Sequence, residues 1–204
     1  MKSKKYFSIA IILTLLICVI ALFINNEIVT AIDSWFYDVV SKKMNPNRTL
    51  FMRLATESGS TAAVIILCLS FFLFPKLRKT FALPVTTSVA AAAFLNIVLK
   101  TVFARQRPNV LQLISESYYS FPSGHAMVNM AFYTMIFLLT RKNISNKKTK
   151  AIISIICIAS PLIIGFSRIY LGVHYVTDVL AGWAIGFSVS IIIFNMFEKW
   201  KNNK

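Results

Sequence analysis

The sequence predicts an all-α fold: an integral membrane bundle of six transmembrane helices with an outer interfacial amphipathic helix, residues 1–204 forming a single domain. Three observations lead there. Of 204 residues, 57% are hydrophobic and only 14% charged, with a mean hydropathy of +0.68; an ordinary soluble domain carries about 25% charged residues. The apolar residues gather in six runs, each approaching the roughly 20 residues that cross a ~30 Å hydrocarbon core. The basic residues behind the net charge of +15 cluster between those runs. They form no single basic face of the kind that binds nucleic acid, and they match the positive charge found at cytoplasmic helix ends.

The first run, 6–24, follows Lys2, Lys4 and Lys5. A signal peptide opens the same way, but its apolar core spans about 7–15 residues before a small-residue cleavage site. This run is longer and lacks that site, so it reads as an uncleaved first helix. In the polar interval 25–57, Ile32, Trp35, Phe36, Val39 and Val40 recur at helical spacing, with Asp33, Asp38 and Lys42 elsewhere around the wheel. An amphipathic helix in the outer interface fits, since Trp and Tyr favour that depth; a solvated loop helix is the other reading. Runs at 58–75, 81–104, 123–140, 151–166 and 176–197 supply five further spans. The fourth of these is short, and its ends are expected to extend through the adjoining polar residues. Gly182 and Gly186 make a small-xxx-small pair suited to close helix packing.

Six spans put both termini on one side. Fourteen basic residues then fall on the side of the termini and eight on the other, with six of the seven acids on the second side. The bias places both termini in the cytoplasm and the opposite face outside. Cys18, Cys68 and Cys157 all lie inside apolar runs, where packing explains them and neither a disulfide framework nor a metal set is expected.

The outer ends of four spans collect the residues able to do chemistry. His174 and Asp178 are four apart, a spacing that puts both on one face of a helix. A carboxylate there holds one imidazole nitrogen as N–H and leaves the other free to attack or to accept a proton. Arg168 offers a planar fork suited to phosphate or carboxylate. Lys100 ends the third span and Arg107-Pro108 follows it; ionisable residues at that depth are costly and usually functional. Pro122-Ser123-Gly124-His125 opens the fourth span with proline just inside a helix start, an end that binds anions, and glycine lets a phosphate approach the backbone. The chain has two histidines, and both flank this one predicted pocket.

Read together, these are Lys100-x6-Arg107-Pro108, Pro122-Ser123-Gly124-His125 and Ser167-Arg168-x5-His174-x3-Asp178. The set resembles the three-part signature of the type 2 phosphatidic acid phosphatase family, which is related to vanadium haloperoxidases and bacterial acid phosphatases. All three parts match in order and spacing. The resemblance implies a lipid phosphate phosphatase working through a phosphohistidine. It assigns His174 as nucleophile, Asp178 as its orienting acid and His125 as the proton donor to the leaving group. Lys100, Arg107, Ser123, Gly124 and Arg168 would cradle the phosphoryl oxygens. No cofactor or metal is expected, because positioning and charge serve phosphoryl transfer and no carboxylate cluster suits Mg²⁺. The expected partners are the bilayer and a lipid phosphate, without nucleic acid or an obligate protein partner. Phosphatidylglycerophosphate, phosphatidate and undecaprenyl pyrophosphate all present a terminal phosphate to such a cradle. Arg105 reads as rim charge or plain surface, and Glu116 as a loop residue that faces either the headgroup or solvent. A lipid phosphotransferase shares the covalent intermediate. A phosphate transporter would need the charge but not a nucleophile with an orienting acid.

Overall fold

The computed structural model describes residues 26–203 together with Ser8, Ile12, Ala21, Phe23 and Ile24; the expected first span, 6–24, lies largely outside the described residues, as does Cys18. Among the described residues the secondary structure is helical throughout, without strands. Helix α1 is Glu27–Ser41 and α2 is Pro46–Ser58. Next come α3, Thr61–Leu73, and α4, Pro75–Phe103, the latter containing a wider π turn at Arg78–Ala82. Helices α5, Gly124–Asn143, α6, Lys147–Tyr170, and α7, Val176–Asn202, complete the bundle.

Local chemistry sets most of these starts. Asn26, Asn45, Ser60, Ser123 and Asn146 each turn a side-chain oxygen onto a free first-turn N–H, which satisfies one of the orphan donors at the helix end. The Asn45 cap, with Pro46 at the first helical position, creates a second helix in the polar interval where the sequence reading placed one. Residues 151–166 do extend through their polar flanks, to Lys147–Tyr170.

Helix α5 is the centre of the bundle and packs against α4, α6 and α7. Close approach is needed there: a Cβ on Gly182 would stand 2.7 Å from the Ser123 carbonyl, and one on Gly186 would meet that of Met127. The expected small-residue packing face is therefore borne out. Among the described residues three helices, α4, α6 and α7, are long and apolar enough to cross a membrane, and a fourth crossing arises if α2 and α3, bent by 47°, act as one. Of the six spans expected, the first lies largely outside those residues. Helix α3 has 13 residues, only ~20 Å at 1.5 Å per residue. Helix α5 is long enough but less apolar, because it carries Asn129, Thr134 and Thr140 buried against its neighbours.

Helix α1 turns in an unexpected direction. Ile28, Ile32, Trp35 and Val39 face outward, whereas Asp33 is 1% exposed. Its carboxylate points into the protein, towards the end of the bundle where the chemistry-bearing residues meet.

Candidate active site

Chain direction alternates through α4, α5, α6 and α7, so the C-terminal ends of α4 and α6 meet the N-terminal ends of α5 and α7. Lys100 stands in the last turn of α4, Ser123 caps α5, Arg168 ends α6 and Asp178 lies in the first turn of α7. Arg107 and Glu116 come from the loop between α4 and α5. Pro122 sits before the cap rather than inside the helix, correcting the expected order, and the Asn96 side chain holds its carbonyl at 3.0 Å.

His174 and Asp178 meet, but not on one helix face. His174 is in the turn before α7, a turn that Gly172 makes possible with φ +74°, and its N–H points to the Arg168 carbonyl at 3.3 Å. Asp178 Oδ2 accepts from the Tyr175 N–H at 2.9 Å and lies 3.4 Å from His174 Nδ1; Ser120 Oγ donates to the same oxygen. On the other side of the ring, Arg107 Nη1 is 3.3 Å from His174 Nε2. A guanidinium can only donate, so Nε2 carries its lone pair and Nδ1 carries the proton that faces Asp178. Burial drives the His174 pKa down to about 4, against the opposing pull of Asp178, and the imidazole is neutral at pH 7. The ring is thus a neutral base with its free electron pair turned towards a cluster of arginines.

Those arginines are held tightly. Arg168, 1% exposed, donates through Nη1 to Thr56 Oγ1 at 2.6 Å and through Nη2 to Glu116, while its Nε is buried without a partner. Arg107 donates to the carbonyls of Tyr118 at 2.6 Å and Val173 at 2.7 Å. Glu116 lies across both guanidiniums, 3.6 Å from Arg107 and ion-paired to Arg168. Burial alone would raise the Glu116 carboxyl, but Arg168, then Arg107 and His125, outweigh it and hold its pKa below the usual range. Glu116 therefore faces the two guanidiniums of Arg107 and Arg168. Lys100 Nζ donates to the carbonyls of Tyr119 and, at 3.5 Å, Ser120.

A family model described as the PAP2 superfamily matches residues 81–202, more than half of the chain and all three motifs. The chain belongs to the PAP2 superfamily. It is 33% identical over 160 residues to phosphatidylglycerophosphatase B of Bacillus subtilis, covering 78% of this chain and 77% of that one. Identity to an undecaprenyl-diphosphatase of Sulfolobus acidocaldarius is 25% over 197 residues, covering 93% and 90% of the two chains. The crystal structure of a transmembrane PAP2-type phosphatidylglycerolphosphate phosphatase from Bacillus subtilis superposes with a TM-score of 0.83 at 30% identity, over 93% of this chain and 96% of that one.

A cavity of about 230 Å³ is lined by His174, Tyr175 and Asp33, and two others approach this PAP2 site on the side of Glu116. One of about 580 Å³ runs between α3 and α4; apolar side chains such as Val64, Leu69 and Val89 line its length, and Glu116, Gly124 and His125 close its inner end. The other, about 480 Å³, is polar, bounded by Gln106, Arg107, Glu116 and Tyr118. His125, in the first turn of α5, thus stands where the apolar cavity meets the arginines. Ser120, Thr56, Asp33 and Thr177 also belong to the site although none was expected there, and Arg105 lies elsewhere than expected. Arg105 is 6% exposed and pairs with Asp178 at 2.6 Å and Asp33 at 2.7 Å, so it is neither rim nor surface. Ser120 adjoins the second motif and could have been flagged; the others carry no local signal.

Proposed function

We propose that this protein is an integral membrane lipid phosphate phosphatase that removes the terminal phosphate from phosphatidylglycerophosphate or a similar lipid through a phosphohistidine on His174. The observation that carries the reading is the imidazole flanked on its Nδ1 side by Asp178 and on its Nε2 side by Arg107. Nε2 attacks phosphorus and the P–O bond to the lipid breaks. His125, in the imidazolium form that the negative charge of a bound lipid phosphate favours, gives the departing alkoxide its proton and becomes neutral; it stands where the lipid would enter. The same imidazole then takes a proton from water as the oxygen attacks phosphorus; the P–N bond breaks, releasing inorganic phosphate and neutral His174. Asp178 stabilises the positive charge that His174 carries in between.

The phosphoryl oxygens take the place that Glu116 occupies between Arg107 and Arg168, with the partnerless Arg168 Nε, Lys100 and the helix start at Ser123-Gly124 as further donors. Charge of this kind, fixed in advance, is the main requirement of phosphoryl transfer. The proposed reaction is metal-independent, with the charge supplied by these donors. The apolar cavity between α3 and α4 suits acyl or prenyl chains entering from the bilayer. We assign six spans, with the outward apolar face of α1 in the outer interface, both termini cytoplasmic and the site on the outer face. The basic clusters at the far ends of α4–α7 support this orientation.

Quenching the enzyme in alkali during turnover of a ³²P-labelled lipid phosphate should leave label on His174. His174→Ala should lose turnover and label together while still binding inorganic phosphate. A His174→Ala enzyme with more than a few per cent of wild-type activity would sink the assignment.

A further inference from the structure

Beside the nucleophile, Asp178 belongs to a buried ionic chain whose other two members, Arg105 and Asp33, the proposed phosphate chemistry does not use. Asp33, on α1, and Asp178, on α7, are 1% and 0% exposed, and Arg105 lies between them with one guanidinium nitrogen on each. The Arg105 guanidinium also stacks 3.9 Å from the centre of the Tyr175 ring and donates to Thr177 Oγ1 at 2.9 Å. Asp33 accepts from the Thr177 N–H at 3.0 Å and from its hydroxyl at 2.7 Å. The first turn of α7 is therefore tied to α1 from both sides. Through its carbonyl, Arg105 also accepts from the Ser120 N–H at 2.8 Å, which fixes the residue whose hydroxyl donates to Asp178.

We propose that Arg105 and Asp33 are positioning residues for the nucleophile: Asp33 anchors Arg105, and Arg105 fixes the Asp178 carboxylate so that Oδ2 faces His174 Nδ1. The division of the carboxylate's two oxygens supports this. Oδ1 is taken by Arg105, and Oδ2 is shared by His174, Ser120 and the Tyr175 N–H. Without Arg105 two buried carboxylates would face each other uncompensated, and rotation of Asp178 away from His174 would relieve that repulsion. Neither Arg105 nor Asp33 contacts Lys100, Arg107 or Arg168 through a side-chain hydrogen bond among those described. The pair should therefore govern attack and leave phosphate binding alone. α1, distant in sequence from every motif residue, becomes part of the apparatus that sets the attack rate.

The proposal rests on the reading of His174 as nucleophile, and the test separates the two. Full-length enzyme in detergent micelles, as wild type, Arg105→Gln, Arg105→Lys and Asp33→Asn, is mixed rapidly with ³²P-labelled lipid phosphate and quenched in alkali. KM and the inhibition constant of inorganic phosphate are measured alongside. We expect wild type to label on His174, and Arg105→Gln to label about a hundredfold or more slowly, because misorienting the imidazole partner costs up to about 10⁴ in rate in comparable dyads. Arg105→Lys, which keeps the charge but not the two-armed reach, should fall between them, with KM and the phosphate constant of all variants within about threefold of wild type. Should Arg105→Gln fail to fold, Asp33→Asn still decides, since its amide can keep the Thr177 contacts while weakening the hold on Arg105; it should label at least about tenfold slower. Folded variants that label at the wild-type rate overturn the proposal. So do variants whose labelling, KM and phosphate binding all deteriorate together, which would make the chain an ordinary structural ion pair. A wild-type enzyme that never labels His174 overturns the underlying mechanism instead, and this inference with it.

Discussion

Replacing Arg168 by lysine keeps the charge and discards the geometry. Arg168 is 1% exposed and spreads three nitrogens over three directions: Nη1 to Thr56, Nη2 to Glu116, and Nε without a protein partner. In the complex we assign Nε and Nη2 to phosphoryl oxygens, with Glu116 displaced. A lysine ammonium is a single point and cannot span two oxygens while holding Thr56. Losing one transition-state contact in a water-excluded site costs about 2.7–4 kcal/mol, or about 10²–10³ in kcat. The abandoned Thr56 hydroxyl, 2% exposed, adds about 1–3 kcal/mol of lost stability as an unsatisfied buried group. The assay is kcat and KM for phosphatidylglycerophosphate in detergent micelles, with thermal unfolding in parallel. The expected result is a kcat lower by two orders of magnitude or more and a smaller rise in KM. Activity within tenfold of wild type would refute the bidentate role and demote Arg168 to a general positive charge.

Vanadate should inhibit competitively, because it adopts the trigonal-bipyramidal shape of the transition state with His174 as apical ligand, and EDTA should have no effect; loss of activity in EDTA restored by Mg²⁺ would point to a different chemistry. A cysteine placed at Ser117 should react with a membrane-impermeant reagent on intact cells, and one at Ser145 only after permeabilisation; the reverse pattern would turn the site to the cytoplasm. The His174 pKa of about 4 lies below the unfolded value near 6.5. The folded protein therefore binds fewer protons between those values, so this residue's contribution to stability is complete above about pH 6.5 and is lost as pH falls towards 4. The His174 ring of the free enzyme should accordingly titrate well below pH 6 when followed by NMR, and a midpoint near 6.5 would contradict the buried, neutral imidazole.

Some of this protein was legible in its residues taken one after another. The helix start at Ser123-Gly124 was, apart from the place of Pro122, because a cap is a local event: Ser123 needs only the N–H groups of its own first turn. The three motifs were too, since each is short and its spacing survives folding, and the convergence of Lys100, His125, Arg168 and Asp178 followed from the alternating direction of the spans. The spacing of His174 and Asp178 suggested the right contact for the wrong reason: the two meet because a turn ends where α7 begins, not because they share a helix face. Tertiary structure alone decided which way α1 faces. In a soluble protein the apolar stripe of a helix points to the core, and the sequence pattern gives its orientation. In lipid, apolar side chains suit the outside equally well, so Ile28, Ile32 and Trp35 could point outward and leave Asp33 turned in. Arg105 meets Asp33 and Asp178 across more than seventy residues of chain, and Arg168 meets Thr56 across 112. Nothing local marks such pairs, because what joins them is the cost of burying a charge without a partner, a quantity that exists only once the helices have packed.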